Sequence, residues 1–253
     1  MSLTRIAVCA TGDAVEPLRA RLLGLVPNGF EERMEGADVE LAAYVPDRDV
    51  DALLRAFPDA TTASVGDGWE DAWRAFHRPV VVEGLWLGPP WEQPPDPSRS
   101  VVIDPGRAFG TGAHPTTRLC VELLATTVPR GSLLDVGCGS GVLGIAGARL
   151  GFEPVFAVDV DPVAVETTRA NAEANGVAID AAVVDALTER LPRAALAVAN
   201  VLLHPVEVIL ARLDSSEAIT SGYLARERPR HPGWSHVETV ELEGWAADRF
   251  RRP

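Results

Sequence analysis

A glycine-rich turn that follows an apolar run constrains this chain more than any other feature. Residues 133–141 read LLDVGCGSG, so a short apolar run with an acidic residue passes into a turn containing Gly137, Gly139 and Gly141. A second strand pattern, ending at Asp159, follows at the spacing of about 20 residues that is typical of nucleotide-type cofactor sites. The pattern predicts a doubly wound parallel sheet with a cofactor at the turn; a turn without a ligand is the alternative.

The charges beside this turn favour a cationic cofactor over a dinucleotide. The glycine spacing is G-x-G-x-G rather than G-x-G-x-x-G, and Asp135 stands just before the turn, where its carboxylate would repel a pyrophosphate. S-adenosylmethionine (SAM) carries a sulfonium and an amino group, which an acidic residue attracts. Asp159 can accept hydrogen bonds from ribose hydroxyls, and Asp161 and Pro162 predict the N-cap and first residue of the next helix. These residues predict the cofactor turn of a SAM methyltransferase.

Composition limits the partners and the compartment that we expect. The 253 residues carry a net charge of -13, which argues against direct nucleic-acid binding because no surplus of basic residues can neutralise phosphates. The cysteines, Cys9, Cys120 and Cys138, form no C-x-x-C motif, which favours a reducing compartment and argues against a zinc site. No apolar stretch approaches the roughly 18 residues of a membrane span, and no signal-peptide pattern is present. We therefore expect a cytoplasmic protein with no bound metal and no membrane partner.

Alternating strand and helix patterns predict two domains. Residues 1–66 carry the βαββαβ order of a small α+β ferredoxin-like unit. Residues 67–98 predict a linker with an aromatic-striped helix over 68–76, interpreted as packing with a ligand cage as the alternative, and a proline-rich loop over 89–97. Residues 99–253 predict a Rossmann-like α/β domain. Its strands are predicted over residues 133–136, 155–158, 181–184, 195–199, 218–221, 235–241 and 245–250.

A longer segment carries a specific family resemblance. Val102 to Arg118, VIDPGRAFGTGAHPTTR, resembles the signature loop of the ribosomal protein L11 methyltransferase family, and it precedes the glycine turn at the family's distance. The arm over 69–79, the LWLGPPWE run and the strand end Ala199-Asn200-Val201-Leu202 resemble the same family in the same order. The resemblance covers most of residues 28–253 and is most specific over 69–202. It implies a class I SAM-dependent enzyme that methylates lysine side chains and the N-terminal amine of a large-subunit ribosomal protein, with the N-terminal domain recognising that substrate.

The resemblance also implies the cofactor contacts. It assigns Thr117, Gly137 and Asp159 to SAM, the last of these on the ribose, and puts Asn200 near the methyl group. Asp185, after the third strand, is expected beside the adenine. From the turn itself, Asp135 and Gly139 join this set of cofactor-binding residues.

Two further residues of the signature loop have alternative interpretations. Phe109 is interpreted as an apolar loop anchor, with cation–π contact to the sulfonium as the alternative. His114 is interpreted as a turn histidine packed before Pro115, with general base as the alternative. The chain departs from the family after the fourth strand, where residues 213–216 replace a Gly-Gly turn and residues 226–232 replace a helix. This end is therefore expected to be shorter than in the family.

Asn200 is the candidate catalytic residue. Methyl transfer to an amine requires the nitrogen, the methyl carbon and the sulfur to be held in line, and the amine to be neutral. The side-chain carbonyl of Asn200 could orient that amine, and the absence of Pro-Pro-Tyr after it argues against adenine and glutamine-amide methyltransferases. Two alternatives stay open: a methyltransferase acting on another protein lysine or a small amine, and a ribosome-associated module that binds SAM without catalysis.

Overall fold

The computed structural model describes residues 3–23, 25–26, 30–35, 38–65, 78–104, 112–128 and 130–253. Within the chain, residues 1–76 and residues 77–253 form two compact units. The aromatic helix predicted over 68–76 lies outside the described residues. Among the residues that are described, no helix is both long and apolar enough to cross a membrane.

The first unit is an antiparallel sheet packed against two helices. Its elements are β1 (Leu3–Thr11), α1 (Val15–Leu23), β2 (Glu31–Glu35), β3 (Asp38–Pro46), α2 (Asp47–Ala56) and β4 (Thr61–Val65). The strands pair in the order β2-β3-β1-β4, and each pair is antiparallel. Alternate side chains of β3, such as Leu41 and Ala43, are buried in one cluster with Leu22 of α1 and Leu53 of α2. The predicted ferredoxin-like order is confirmed.

The second unit begins with a small sheet that the sequence patterns did not predict. Its strands are β5 (Val80–Val82), β6 (Leu85–Gly88) and β7 (Ser100–Val102). The first pair is antiparallel and the second is parallel. The proline-rich loop predicted over 89–97 connects β6 to β7. Leu87 and Val101 are fully buried in the largest hydrophobic cluster of the described residues. The small sheet is therefore part of the core of the second unit.

A seven-stranded sheet organises the rest of the second unit. Its strands are β8 (Leu133–Val136), β9 (Val155–Asp159), β10 (Asp180–Val183), β11 (Leu196–Asn200), β12 (Glu217–Leu224), β13 (Ser235–Leu242) and β14 (Trp245–Arg251). The order is β10-β9-β8-β11-β12-β14-β13, with the first five strands parallel and the closing hairpin antiparallel. The chain reverses its direction of travel across the sheet between β8 and β11, which is where such sheets bind ligands. The predicted doubly wound α/β fold is confirmed.

Helices cover both faces of this sheet. They are α3 (Pro115–Thr126), α4 (Val142–Arg149), α5 (Pro162–Ala174) and α6 (Leu203–Arg212). Leu133 of β8 is buried in a cluster with side chains of α3 and α4, whereas the next residue, Leu134, is buried in another cluster with side chains of α6. Strands buried on both faces read as continuous apolar runs, which explains why the sequence predicts them well.

Candidate cofactor and methyl-transfer site

The glycine turn connects β8 to α4 and exposes backbone rather than side chains. Gly137, Gly139 and Gly141 have φ angles of 73°, 52° and 81°, a region that residues with a Cβ atom rarely adopt. A Cβ atom at Gly137 would also lie 2.6 Å from Cγ1 of Val201. Gly137 and Gly139 are half-exposed. The turn therefore offers accessible backbone at the carboxyl edge of the sheet.

Asp135 lies beneath this turn and is covered by protein. Its side chain is buried, and Oδ2 accepts a hydrogen bond of 2.9 Å from the backbone N–H of Gly144 in α4. The pKa of Asp135 is raised to about 7. Burial is the main cause and the charge of Asp159 contributes, whereas the hydrogen bond from Gly144 acts to lower the pKa. A cation held at the turn would favour the ionised carboxylate. The role of Asp135 toward SAM stays a prediction.

Asp159 ties the end of β9 to the glycine turn. Its Oδ2 accepts from the backbone N–H of Gly139 at 3.0 Å, and its Oδ1 accepts from the N–H of Asp161 at 3.0 Å. The side chain is half-buried at the sheet edge. Asp161 caps α5 by accepting from the N–H of Val163 at 2.8 Å, with Pro162 as the first helical residue, which confirms that part of the prediction.

Asp185 lies beside Asp159, in the turn after β10. The backbone N–H of Val184 donates to the carbonyl of Asp159 at 2.9 Å, which brings the two strand ends together. The Asp185 carboxylate accepts from the N–H of Leu187 at 2.9 Å and from the hydroxyl of Thr188 at 2.8 Å, and these bonds lower its pKa. An ionised, half-exposed carboxylate therefore stands at the expected adenine end of the edge.

Asn200 and Thr117 meet at the end of β11. The side-chain amide Nδ2 of Asn200 donates to Oγ1 of Thr117 at 3.4 Å, although 83 positions separate the two residues. Thr117 is buried in the first turn of α3, and Asn200 is half-exposed. Two residues that the resemblance assigns to the same site are thus in contact, at the switch point beside the glycine turn.

His114 begins α3 as its N-cap. Its Nδ1 lies 2.8 Å from Oγ1 of Thr116 and accepts from the Thr116 N–H at 3.3 Å. The imidazole packs edge-on against Trp245 with ring centroids 5.0 Å apart. This geometry agrees with the interpretation of His114 as a turn residue ahead of Pro115. Phe109, for which two interpretations were given, lies outside the described residues.

A set of polar residues on α5 was not predicted from the sequence. The amide Nδ2 of Asn171 donates to the carbonyl of Ser140 at 2.9 Å, and its Oδ1 accepts from the N–H of Asp104 at 3.4 Å. Thr168, one turn earlier, donates to the carbonyl of Gly139 at 3.1 Å. This face of α5 thus holds the glycine turn and the start of the signature segment in place. Buried asparagine in a predicted helix is the signal that could have identified it.

Metal-ligating side chains and cysteine thiols are the other groups that could carry chemistry. In the part of the chain that the structure describes, no three His, Cys, Asp or Glu side chains lie together so as to hold a metal ion. Cys120 and Cys138 are buried free thiols, and burial raises the pKa of both, that of Cys138 to about 12. Both thiols are therefore protonated at neutral pH.

Known proteins resemble this chain over most of its length. Residues 37–252 match the model of a family described as ribosomal protein L11 methyltransferase. A protein of that name from Dechloromonas aromatica is 43% identical over 177 residues, which are 65% of this chain and 59% of the relative. Another from Paraburkholderia phytofirmans is 38% identical over 208 residues, or 76% of this chain and 68% of the relative.

A solved structure supports the same relationship. The crystal structure of a ribosomal protein L11 methylase from Lactobacillus delbrueckii subsp. bulgaricus aligns with a TM-score of 0.62 at 27% identity, covering 70% of this chain and 98% of that one. The chain thus spans between about three fifths and two thirds of the two curated relatives described above.

Proposed function

Because this chain belongs to the ribosomal protein L11 methyltransferase family, we propose that it is a SAM-dependent methyltransferase that modifies lysine side chains and the N-terminal amine of ribosomal protein L11. The observation that carries the proposal is the contact between Asn200 and Thr117 beside the half-exposed glycine turn. The contact joins two residues to which the family resemblance assigns cofactor and methyl-transfer roles.

The residues at this edge fit SAM in their chemistry. SAM, when bound, supplies a methyl group activated by a positively charged sulfonium. The backbone of Gly137 and Gly139 is accessible, so a ligand can lie close to it. The carboxylates of Asp159 and Asp185 would accept hydrogen bonds from the ribose and the adenine, and the buried charge of Asp135 would attract a cation from below.

Asn200 is the proposed catalytic residue, because it presents an amide at the point where the acceptor must arrive. Its Nδ2 already donates to Thr117, which leaves Oδ1 free to accept from an amine N–H and thereby to aim the nitrogen lone pair. Lysine has an unperturbed pKa of about 10.4 and must be neutral to react. The apolar side chain of Val201, the residue after Asn200, would disfavour the charged form of an amine held near it.

The first unit is the proposed substrate-recognition domain, with the predicted boundaries 1–66; of the linker predicted over 67–98, residues 78–98 belong to the second unit. Residues 1–76 contain 14 acidic residues against 7 arginines. A protein segment that presents several lysines is cationic, and a negative surface would attract it. We also propose that the protein acts in the cytoplasm, where ribosomal proteins are assembled.

The test is methyl transfer from labelled SAM to purified L11, followed by mass spectrometry of its peptides. We expect label on lysine side chains and on the N-terminal amine. Label that appears instead on another protein of a total lysate would replace the acceptor but keep the enzyme class. SAM binding by calorimetry with no label on L11 or on any lysate protein would favour a non-catalytic module and overturn the proposal.

A further inference from the structure

Gly222 of β12 lies against the backbone that follows Asn200. A Cβ atom at Gly222 would stand 2.2 Å from the carbonyl oxygen of Val201 and 3.0 Å from its nitrogen. The φ angle of Gly222 is 101°, so a side chain there would be strained as well as obstructed. The close approach is therefore available to glycine alone.

The position of Gly222 in the sheet explains this approach. The parallel register of β11 and β12 ends where Asn200 pairs with Ser221, and the N–H of Val201 donates to the carbonyl of Ser221 at 3.1 Å. The register of β12 against β14 shifts between Ser221 and Tyr223, so Gly222 is the extra residue of a β-bulge. The bulge turns the backbone of Gly222 toward Val201.

A second glycine meets Val201 from the opposite side. The side chain of Val201 fills the space where a Cβ atom of Gly137 would lie, 2.6 Å from Val201 Cγ1. Because β8 and β12 flank β11 in the sheet, the two neighbouring strands each place a glycine beside the residue after Asn200. Val201 is held between them, at its side chain by Gly137 and at its backbone by Gly222.

We propose that Gly222 is a positioning residue for methyl transfer: its missing side chain lets the bulge hold Val201 and thereby fixes the direction of the Asn200 amide. The proposal rests on the function proposed above for Asn200. A side chain at position 222 would push the Val201 peptide away, and an error of about 1 Å in the placement of a reacting group can lower a rate on the order of 10²-fold.

The experiment compares Gly222→Ala with Gly244→Ala in the 253-residue chain. Gly244 is a matched control, because its φ is 82° but a Cβ atom there would meet nothing within 4 Å. With L11 and saturating SAM, we expect Gly222→Ala to lower kcat by about tenfold or more and to change KM for L11 by less than about threefold. Gly244→Ala should stay within about twofold of the unsubstituted chain in both. Equal kcat values for the two variants would overturn the proposal.

A second measurement separates this proposal from the proposed function. The NMR signal of the Asn200 side-chain amide, assigned by its loss in Asn200→Ala, should shift in Gly222→Ala and not in Gly244→Ala. This readout needs no methyl transfer, so it stays valid if L11 proves not to be the acceptor; an unshifted signal would overturn the positioning role. If Gly222→Ala does not fold, Val201→Ala removes the contact with Gly137 and should lower kcat about threefold or more. An unchanged kcat and an unshifted amide in that variant would also overturn the proposal.

Discussion

Two regions of the seven-stranded sheet each contain a buried aspartate, and the two carboxylates differ in their hydrogen-bond partners. Asp135, under the glycine turn, accepts one backbone hydrogen bond, from Gly144, and its pKa is raised to about 7 by burial. Asp248, in the closing hairpin, is fully buried and accepts from the hydroxyl of Tyr223 at 2.8 Å and from the hydroxyl of Thr239. His236 adds a contact of 2.9 Å between its Nε2 and Asp248 Oδ1.

The difference distinguishes a carboxylate with several hydrogen-bond donors from one that is proposed to respond to a bound cofactor. Burial and then the charge of Asp248 raise the pKa of Tyr223, so the phenol stays a neutral hydrogen-bond donor to Asp248. Asp135 has fewer donors, and its pKa of about 7 lets its charge state change near neutral pH. A buried ionisable group with incomplete hydrogen bonding is common at functional sites and costly elsewhere.

The largest expected effect is on the free energy of unfolding, when the buried carboxylate of the closing hairpin is removed. Asp248→Ala should lower the free energy of unfolding by about 2 to 6 kcal/mol, because two hydroxyls would lose an acceptor and each such loss costs about 1 to 3 kcal/mol. Denaturant titration measures it, with Asp248→Asn as a milder control. SAM affinity of the folded fraction should be unchanged. A loss of SAM affinity without a loss of stability would show that Asp248 acts on cofactor binding and not on the fold.

The effect of Asp135 on stability should depend on pH. Its pKa is about 7 in the folded chain against the ordinary aspartate value of 3.8, so between these values the folded state holds a proton that the unfolded state has lost. Stability therefore falls as pH rises through this window, by about 1.4 kcal/mol per unit of pH, or near 3 kcal/mol from pH 4.5 to 7. Asp135→Asn should remove that dependence in urea titrations. Asp185→Asn is the control, because the pKa of that carboxyl is lowered, and this variant should keep the fall in stability with rising pH. If both variants showed the same pH dependence, Asp135 would not be its source.

Asn200→Ala tests the proposed catalytic residue at the end of β11. Its kcat with saturating SAM should fall on the order of 10²-fold, about 2.7 kcal/mol, because the acceptor amine loses its orientation. The dissociation constant of SAM, measured by calorimetry, should change less than kcat does. Normal turnover would show that Asn200 has only a structural role at the end of β11.

Asp159→Ala should have the smallest effect of the series and should act on binding. Loss of the proposed ribose acceptor is expected to weaken SAM binding by about 30-fold, or roughly 2 kcal/mol. Asp161→Ala is the matched control, since that carboxylate caps α5 through Val163 and should affect stability only. Equal SAM affinity in both variants would remove Asp159 from the site.

Local patterns in the sequence predict much of this fold. The strands of the large sheet follow apolar runs because both faces are covered, and the predicted run 133–136 coincides with β8. The cap at Asp161 followed by Pro162 is a local signal and was also found as predicted. Positive φ angles at the turn follow from the three glycines themselves.

Contacts between distant segments could not be predicted in the same way. The bonds of Asn171 and Asn175 join α5 to residues about 70 positions earlier, so no local pattern encodes them. β5 and β7 are three residues each, too short for an alternation to be recognised. The run 218–221 predicts β12 only up to the bulge, because a single glycine in a strand does not reveal what lies beside it.

The asparagine at the end of α5 has a consequence for solubility. Asn175 accepts from the N–H of Val102 at 2.8 Å and donates to its carbonyl at 2.7 Å, the two bonds that a neighbouring strand would make. Arg149 donates to the carbonyl of Ser100 at 2.9 Å on the same strand. β7 is the outermost strand of its small sheet, and outermost strands with free backbone groups invite other chains to pair with them. Side chains of two helices thus occupy the positions that an aggregating chain would need.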